Sequence, residues 1–146
     1  MYKHGDNMYD VKEQGCLYFS SVFLARELSR MADKRFARTG LCPSAAFLLL
    51  YVIEEPGLNP TTVSEALELA PSTITRFADT LVKEGYITRD RSGKNSSMHP
   101  TEAGAAMKET IQECWNGLYE DYASKLGKEN ADRLACDMFS AFKKLT

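Results

Sequence analysis

Four side chains near the middle of the sequence could form hydrogen bonds from one side of a short helix: Ser72, Thr73, Thr75 and Arg76. A helix that enters the major groove of DNA, about 12 Å wide, needs slim hydrogen-bonding side chains near its start. Arginine can contact guanine or a phosphate, and the free N–H groups of a helix N-terminus also favour phosphate. Singly, the hydroxyls are typical of a helix cap and the arginine of a solvated surface. Together they predict a helix that contacts DNA.

A basic segment follows this helix. Arg89, Arg91 and Lys94 lie in or beside a polar stretch that predicts a small hairpin, and their cations are expected to contact the DNA backbone or a minor groove. Arg91 and Lys94 remain alternatives for the residue at the hairpin tip. Residues 71–99 contain five basic and three acidic residues, a net charge of +2, whereas the whole chain carries −2. This asymmetry gives weak support to a basic face.

Two helices are predicted before this region from hydrophobic periodicity. The first spans residues 12–38 and carries apolar side chains at helical spacing. The second is expected to run from a cap at Ser44 to about Glu54. Because the second helix is apolar on every side, we expect it to lie at the centre of the core.

The DNA-contacting helix is predicted to be the second of a closely joined pair. Asn59 is expected to cap the first helix of the pair, which covers residues 60–67. The second covers residues 71–84 and stops before Gly85. Both begin with proline, which suits the first position of a helix because that position needs no N–H. The residues predicted to be buried by the pair are Val63, Ala66, Leu67, Ile74, Phe77, Leu81 and Val82.

After the helix pair, the spacing of apolar residues changes from helix-like to strand-like. Residues 86–89 and Met98 predict two short strands, a long helix restarts with Thr101 as its cap and ends at Gly127, and a last helix spans residues 128–145. The predicted fold is mainly α, an α+β winged helix of about six helices with a small two- or three-stranded β-wing. We expect three parts: an N-terminal dimerisation helix, a DNA-binding lobe and C-terminal dimerisation helices, at residues 1–40, 41–100 and 101–146.

The central text resembles the MarR family of winged helix-turn-helix regulators. The resemblance rests on "PSTITRFADTLVKEGYITR", similar to the family's recognition helix and first wing strand, and on "PTEAG", similar to the Thr-x-x-Gly that opens the helix after the wing. The wing itself, "RDRSGKNSS", is shorter than in many members, so its tip residue stays open. The resemblance implies DNA contacts from these residues: Ser72, Thr73, Thr75, Arg76, Arg89, Arg91 and Lys94.

A homodimer is predicted on two grounds. Two recognition helices held about 34–36 Å apart by symmetry read a palindrome, whereas one reads only a few base pairs. The terminal helices also carry many aromatic residues that a small monomer would struggle to cover. These aromatic residues are Phe19, Phe23, Trp115, Tyr119, Tyr122, Phe139 and Phe142. The alternative is an ordinary core within one chain.

The resemblance also implies control by a signal. Family members often bind small aromatic or phenolic molecules, and some sense oxidants through a cysteine near the start of the first helix. Cys16 has that position, so an oxidant-sensing regulator is an alternative, although the surrounding text does not match that subgroup closely. Otherwise the four separate cysteines are expected to be reduced and mostly buried. An aromatic pocket could draw on Tyr18, Phe19, Phe23, Phe47, Tyr51 or Trp115.

Other classes of protein fit the sequence poorly. It contains no P-loop, GxGxxG, HExxH or nucleophile-elbow motif, and its cysteines and histidines do not cluster, so we expect no enzyme, cofactor or metal site. Its polar N-terminus and the absence of a long apolar run predict a cytoplasmic protein without a membrane segment. A winged helix that binds a protein partner in place of DNA remains an alternative. The operator, the regulated genes and the inducer are not encoded in these patterns.

Overall fold

The chain folds into seven α-helices and one antiparallel pair of strands within the part described by the structure, residues 15–91 and 96–146 of a computed structural model. The elements in chain order are α1 (Leu17–Phe36), a 3₁₀ turn (Ala37–Thr39), α2 (Pro43–Glu54), α3 (Pro60–Leu67), α4 (Pro71–Lys83), β1 (Ile87–Asp90), β2 (Ser97–Pro100), α5 (Glu102–Ala105), α6 (Lys108–Leu126) and α7 (Lys128–Leu145). This is the predicted mainly helical winged-helix architecture.

Helix α2 forms the centre of the core, as its apolar sequence predicts. Ala45, Leu48, Leu49 and Val52 are fully buried, and the helix packs against α4, β2 and α6. Its start differs from the prediction, because Cys42 occupies the N-cap position without a side-chain hydrogen bond and Ser44 already lies inside the helix. Proline at the first helical position fixes the start of this helix instead.

Helices α3 and α4 form the helix-turn-helix. The Asn59 side chain accepts a hydrogen bond from the Thr61 N–H at 2.8 Å, which confirms the predicted cap. Glu68 ends α3 in the left-handed conformation, with φ of 52°. This is unusual for a residue other than glycine, and it reverses the chain tightly enough for α4 to begin at Pro71.

Two predicted core positions in this pair are wrong. Ala66 and Val82 were predicted to be buried and are exposed. Ser64 and Ala78, which were not predicted to be buried, are buried instead. The Ser64 hydroxyl donates to the Leu69 carbonyl at 2.6 Å, which satisfies its polar group inside the turn.

The wing is a two-stranded antiparallel ribbon extended by one isolated bridge. Ile87 pairs with Pro100 and Asp90 with Ser97, and Met98 forms a further antiparallel bridge with Leu58. Leu58, Ile87 and Met98 are buried, so the base of the ribbon belongs to the hydrophobic core of the chain. The remaining residues of the predicted hairpin tip, 92–95, lie outside the described ranges.

The long helix predicted after the wing is divided into two segments. Thr101 caps α5 as predicted and accepts from the Gly104 N–H at 3.0 Å. The helix is interrupted around Ala106 and Met107 before α6 begins at Lys108. Gly127 then separates α6 from α7, as predicted.

Helices α1, α6 and α7 pack together beside the lobe. Residues 12–14 of the predicted first helix lie outside the described part, and the described helix begins at Leu17 and ends at Phe36. One ion pair joins α1 to α6, from Arg35 to Asp121, and a second joins the 3₁₀ turn to α6, from Arg38 to Glu113. In residues 15–91 and 96–146, no single helix is long and apolar enough to cross a membrane; α1 with its 3₁₀ turn and α2 satisfy the length and composition criteria only as a pair, bent by 58°.

Candidate nucleic-acid interface

The first two turns of α4 present the side chains that the sequence singles out. Ser72, Thr75 and Arg76 are exposed and Thr73 is half-buried. The opposite side of α4 buries Ile74, which anchors the helix in the core. The structure therefore brings the four predicted contact residues together on one stretch of helix.

Hydrogen bonds and stacking hold two of these side chains in place. The Thr75 hydroxyl donates to the Pro71 carbonyl at 3.0 Å and still has lone pairs for another partner. The Arg76 guanidinium lies 5.4 Å from the centre of the Phe77 ring, a cation–π distance. An arginine that lies along its own helix in this way is partly preorganised for a planar hydrogen-bonding partner.

The start of α4 has no side-chain cap. Ala70 occupies the N-cap position and offers no hydrogen-bonding side chain, and Pro71 follows it. The partial positive charge of this helix end is therefore not offset by a capping oxygen, which favours an anion such as phosphate.

Arg89 differs from the solvated wing cation that the sequence indicates. Its side chain is only 8 % exposed, and its Nη2 atom donates to Asp79 of α4 at 2.6 Å. The Nη2 atom of Arg91, which is 70 % exposed, lies 3.6 Å from the same carboxylate oxygen. Asp79 thus links α4 to the first wing strand. Lys94 lies outside the described residues.

Asp79 is a residue of this surface that the sequence analysis does not single out. The available signal was its position as one of few acids in a basic segment, ten residues before Arg89. Its role depends on the strand that returns alongside α4, which helical spacing does not reveal.

A cleft of about 430 Å³ lies between the start of α3, α4 and the wing. The residues that line it are mainly polar. They are Asn59, Pro60, Thr61, Pro71, Thr75, Ala78, Arg89, Arg91 and Ser96. Three residues with hydroxyl groups and two arginines therefore line one concave surface beside the exposed face of α4.

The cysteines are distributed differently from the prediction, since only Cys114 is buried. Cys16 is half-buried at the N-cap position of α1, and Cys42 and Cys136 are exposed. The Cys114 thiol accepts a hydrogen bond from Arg38 Nε at 3.2 Å. In the described ranges, no group of three or more histidine, cysteine or acidic residues could hold a metal ion.

The aromatic residues considered for a ligand pocket form two groups of rings in edge-to-face or tilted contact. Phe19 lies against Tyr18 and Phe23 on α1. Phe47 lies against Tyr51 and Trp115, with ring centres 5.2 and 5.4 Å apart. Tyr18, Phe19 and Phe23 are exposed, so the first group does not enclose a pocket in this chain alone. The aromatic pocket stays a prediction.

Part of the chain matches a known family model. Residues 43–96 match the MarR family model. No curated protein matches the chain. The S. aureus MepR–DNA complex is similar in fold, with a TM-score of 0.75 and 15 % identity over 88 % of this chain and 96 % of that one.

Two further solved structures are similar over nearly the whole chain. CouR from Rhodococcus jostii RHA1, bound to p-coumaroyl-CoA, has a TM-score of 0.72 and 18 % identity, covering 97 % of this chain and 95 % of that one. A MarR protein from Peptoclostridium difficile has a TM-score of 0.76 and 21 % identity, with the same coverage. The winged-helix fold is therefore confirmed well beyond the segment that the family model matches.

Proposed function

We propose that this chain, of which residues 43–96 match the MarR family model, is a member of that family and a sequence-specific DNA-binding transcriptional regulator. The observation that carries the proposal is the first half of α4, where Ser72, Thr75 and Arg76 are exposed together on a helix anchored in the core. Such a helix can enter a major groove and offer hydrogen bonds to base edges and phosphates. MepR, with the same fold, was crystallised on DNA.

The regulator is proposed to act as a homodimer on a pseudo-palindromic operator. Phe19, Phe23, Phe139 and Phe142 remain between 38 and 60 % exposed on α1 and α7. A second copy of these helices would cover this apolar surface and fix the distance between two copies of α4.

We further propose that the regulator represses transcription and that a small aromatic molecule releases it from DNA. A protein bound across a promoter blocks transcription simply by occupying it, and a ligand that favours another spacing of the two recognition helices would release it. CouR, which shares the fold, was crystallised with p-coumaroyl-CoA. The proposed activity is binding and not catalysis.

The test begins with selection of bound sequences from random duplex DNA, followed by titration of the selected duplex. We expect affinity to fall steeply as salt rises, because phosphate contacts release counterions. Arg76→Ala should cost about 1–3 kcal/mol and relax specificity at one base position per half-site. Arg26→Ala on α1 removes the same charge from an exposed site far along the sequence and serves as control.

Two outcomes would contradict the proposal. One is a wild-type protein that selects no sequence, and the other is an Arg76→Ala variant with the affinity and specificity of wild type. Either result would favour the alternative in which this winged helix binds a protein partner.

A further inference from the structure

We propose that the ion pair between Lys143 of α7 and Glu68, which ends α3, determines the half-site spacing that the regulator accepts in its operator. This inference rests on the proposed function and adds to it two positioning residues, neither of which is proposed to contact DNA. They act through the short segment that leads from Glu68 into α4, and they fix where α4 lies relative to the terminal helices.

The pair joins two parts of the chain that are distant in sequence. Lys143 Nζ lies 2.7 Å from Oε1 of Glu68, and the two residues are 75 positions apart. Lys143 belongs to the last turn of α7, and Glu68 lies just before α4 begins at Pro71. The C-terminal helix therefore contacts the turn of the helix pair directly.

Glu68 has a backbone conformation that is unfavourable for glutamate. Its φ of 52° is the one positive value at a residue other than glycine in the part of the chain that the structure describes. A glycine would adopt this conformation without the steric penalty of a Cβ atom. What Glu68 adds is its side chain, whose carboxylate contacts Lys143. The turn into α4 and the contact with α7 thus depend on the same residue.

The ammonium group of Lys143 lies over two aromatic rings of its own helix. It is 5.5 Å from the centre of the Phe139 ring and 5.9 Å from that of the Phe142 ring, within the range of cation–π contacts. Both rings are also proposed to be covered by the second copy of the chain. One stretch of α7 would therefore contact the partner copy and the turn that leads into α4.

The exposure of the pair indicates that it affects position more than stability. The side chains of Lys143 and Glu68 are 51 % and 49 % exposed, and exposed ion pairs contribute little to overall stability. Operator fit is more sensitive, because one base pair added between half-sites separates them by about 3.4 Å and rotates one against the other by about 35°. Loss of the pair should therefore widen the range of accepted spacings without unfolding the protein.

The test compares duplexes that differ only in the number of base pairs between their half-sites. The reference is the duplex that wild type selects, and one base pair is inserted or removed at its centre. Fluorescence anisotropy gives the affinity of the full-length protein for each duplex. The spacing ratio is the affinity for the reference divided by that for an altered duplex, so a uniform change of affinity caused by net charge cancels.

Glu68→Gln and Lys143→Gln each replace one charged side chain of the pair with a neutral polar one. We expect each to lower the spacing ratio about threefold to tenfold, since both copies in the dimer lose the pair. Glu65→Gln and Lys144→Gln are the matched controls, because both residues are exposed and neither is in an ion pair among the described residues. They should keep the wild-type ratio, and all four variants should keep its melting temperature within a few degrees.

Two further measurements distinguish a charge contact from a packing effect. The reversed pair, Glu68→Lys with Lys143→Glu, should recover part of the ratio that either reversal alone loses. Raising KCl from about 50 to about 300 mM should lower the wild-type ratio towards that of the neutral variants, because salt screens an exposed pair.

The outcomes separate this inference from the proposed function. A wild type that selects no duplex would overturn both. A wild type that binds its selected duplex equally well at every spacing, or whose spacing ratio is unchanged in Glu68→Gln and Lys143→Gln, would overturn only the role of the pair. A ratio that falls in the single variants and is not recovered by the reversed pair would show that these side chains act through packing, which also contradicts the inference.

Discussion

The carboxylate of Asp121 shows how one residue fixes the packing of two helices. Arg35 of α1 donates to both of its oxygens, each at 2.6 Å. The guanidinium reaches across α6 at Gly117, where a Cβ atom would lie only 3.1 Å from it. The hydrogen bonds from Arg35 lower the pKa of Asp121 below its ordinary value of 3.8, because they favour the charged carboxylate.

The first prediction concerns the pH dependence of this pair. A carboxyl group whose pKa is lowered by folding stabilises the native state fully above its unfolded value, and the stabilisation is lost as pH falls through the folded pKa. Asp121→Asn should therefore lower the urea midpoint of unfolding near neutral pH, and the difference from wild type should shrink as pH falls through the lowered pKa of Asp121.

Asp33→Asn is the control, since this exposed carboxylate of α1 is in no ion pair among the described residues. It should leave the midpoint nearly unchanged at neutral pH. A pH-independent difference between Asp121→Asn and wild type would show that Asp121 acts through packing and not through its charge.

Helices α4 and α5 are joined by a hydrogen-bonded junction that involves the Thr-x-x-Gly motif. The Thr101 hydroxyl donates to the Gly85 carbonyl at 2.6 Å, and the Thr101 N–H donates to the Tyr86 carbonyl at 3.0 Å. A Cβ atom on Gly104 would lie 1.9 Å from that same Tyr86 oxygen. Glycine is therefore required by close backbone contact, and the motif holds the end of α4 against α5.

Gly104→Ala is expected to destabilise the protein by about 2 kcal/mol or more, because the clash with backbone cannot be relieved by a side-chain rotation. Alanine's higher helix propensity, worth about 1 kcal/mol, works in the opposite direction and is too small to compensate. Denaturant unfolding gives the difference directly. The exposed neighbour Ala103 provides the control, because Ala103→Gly should cost no more than about 1 kcal/mol. Equal stability of Gly104→Ala and wild type would contradict this account of the motif.

The whole molecule exposes a continuous apolar groove along its terminal helices. The groove is lined mainly by leucine, methionine and alanine side chains. They come from three helices, α1, α6 and α7, and are Leu24, Leu28, Tyr122, Leu126, Ala131, Leu134, Ala135 and Met138. Apolar surface gathered in this way is typical of a protein–protein interface, and the proposed homodimer would bury it.

Leu134→Glu is expected to dissociate that dimer, because a carboxylate in the groove would lose water on association without gaining a partner. Sedimentation should then show monomer at concentrations where wild type is dimeric, and operator affinity should fall at least about tenfold. Ser140→Glu on the opposite side of α7 introduces the same charge at another exposed position and should leave the dimer intact. A dimer unaffected by Leu134→Glu would place the interface elsewhere.

Local features of the chain were predictable because they depend on neighbours in sequence. The caps at Asn59 and Thr101, the starts at Pro60 and Pro71 and the breaks at Gly85 and Gly127 follow from side-chain size and backbone hydrogen bonding within a few residues. The burial of α2 follows from its composition, since a helix that is apolar on every side must be covered on every side.

Tertiary structure alone decided features that depend on distant neighbours. Val82 was expected to be buried and is exposed, because the return of the chain into β1 determines which side of α4 is covered. Arg89 resembles a solvated wing cation in the sequence, yet the antiparallel wing brings it onto Asp79 and buries it. Periodicity and capping determine where the helices of this protein begin and end. Contacts between residues distant in sequence determine which polar side chains line the cleft and which are buried against a partner, as Arg89 is against Asp79.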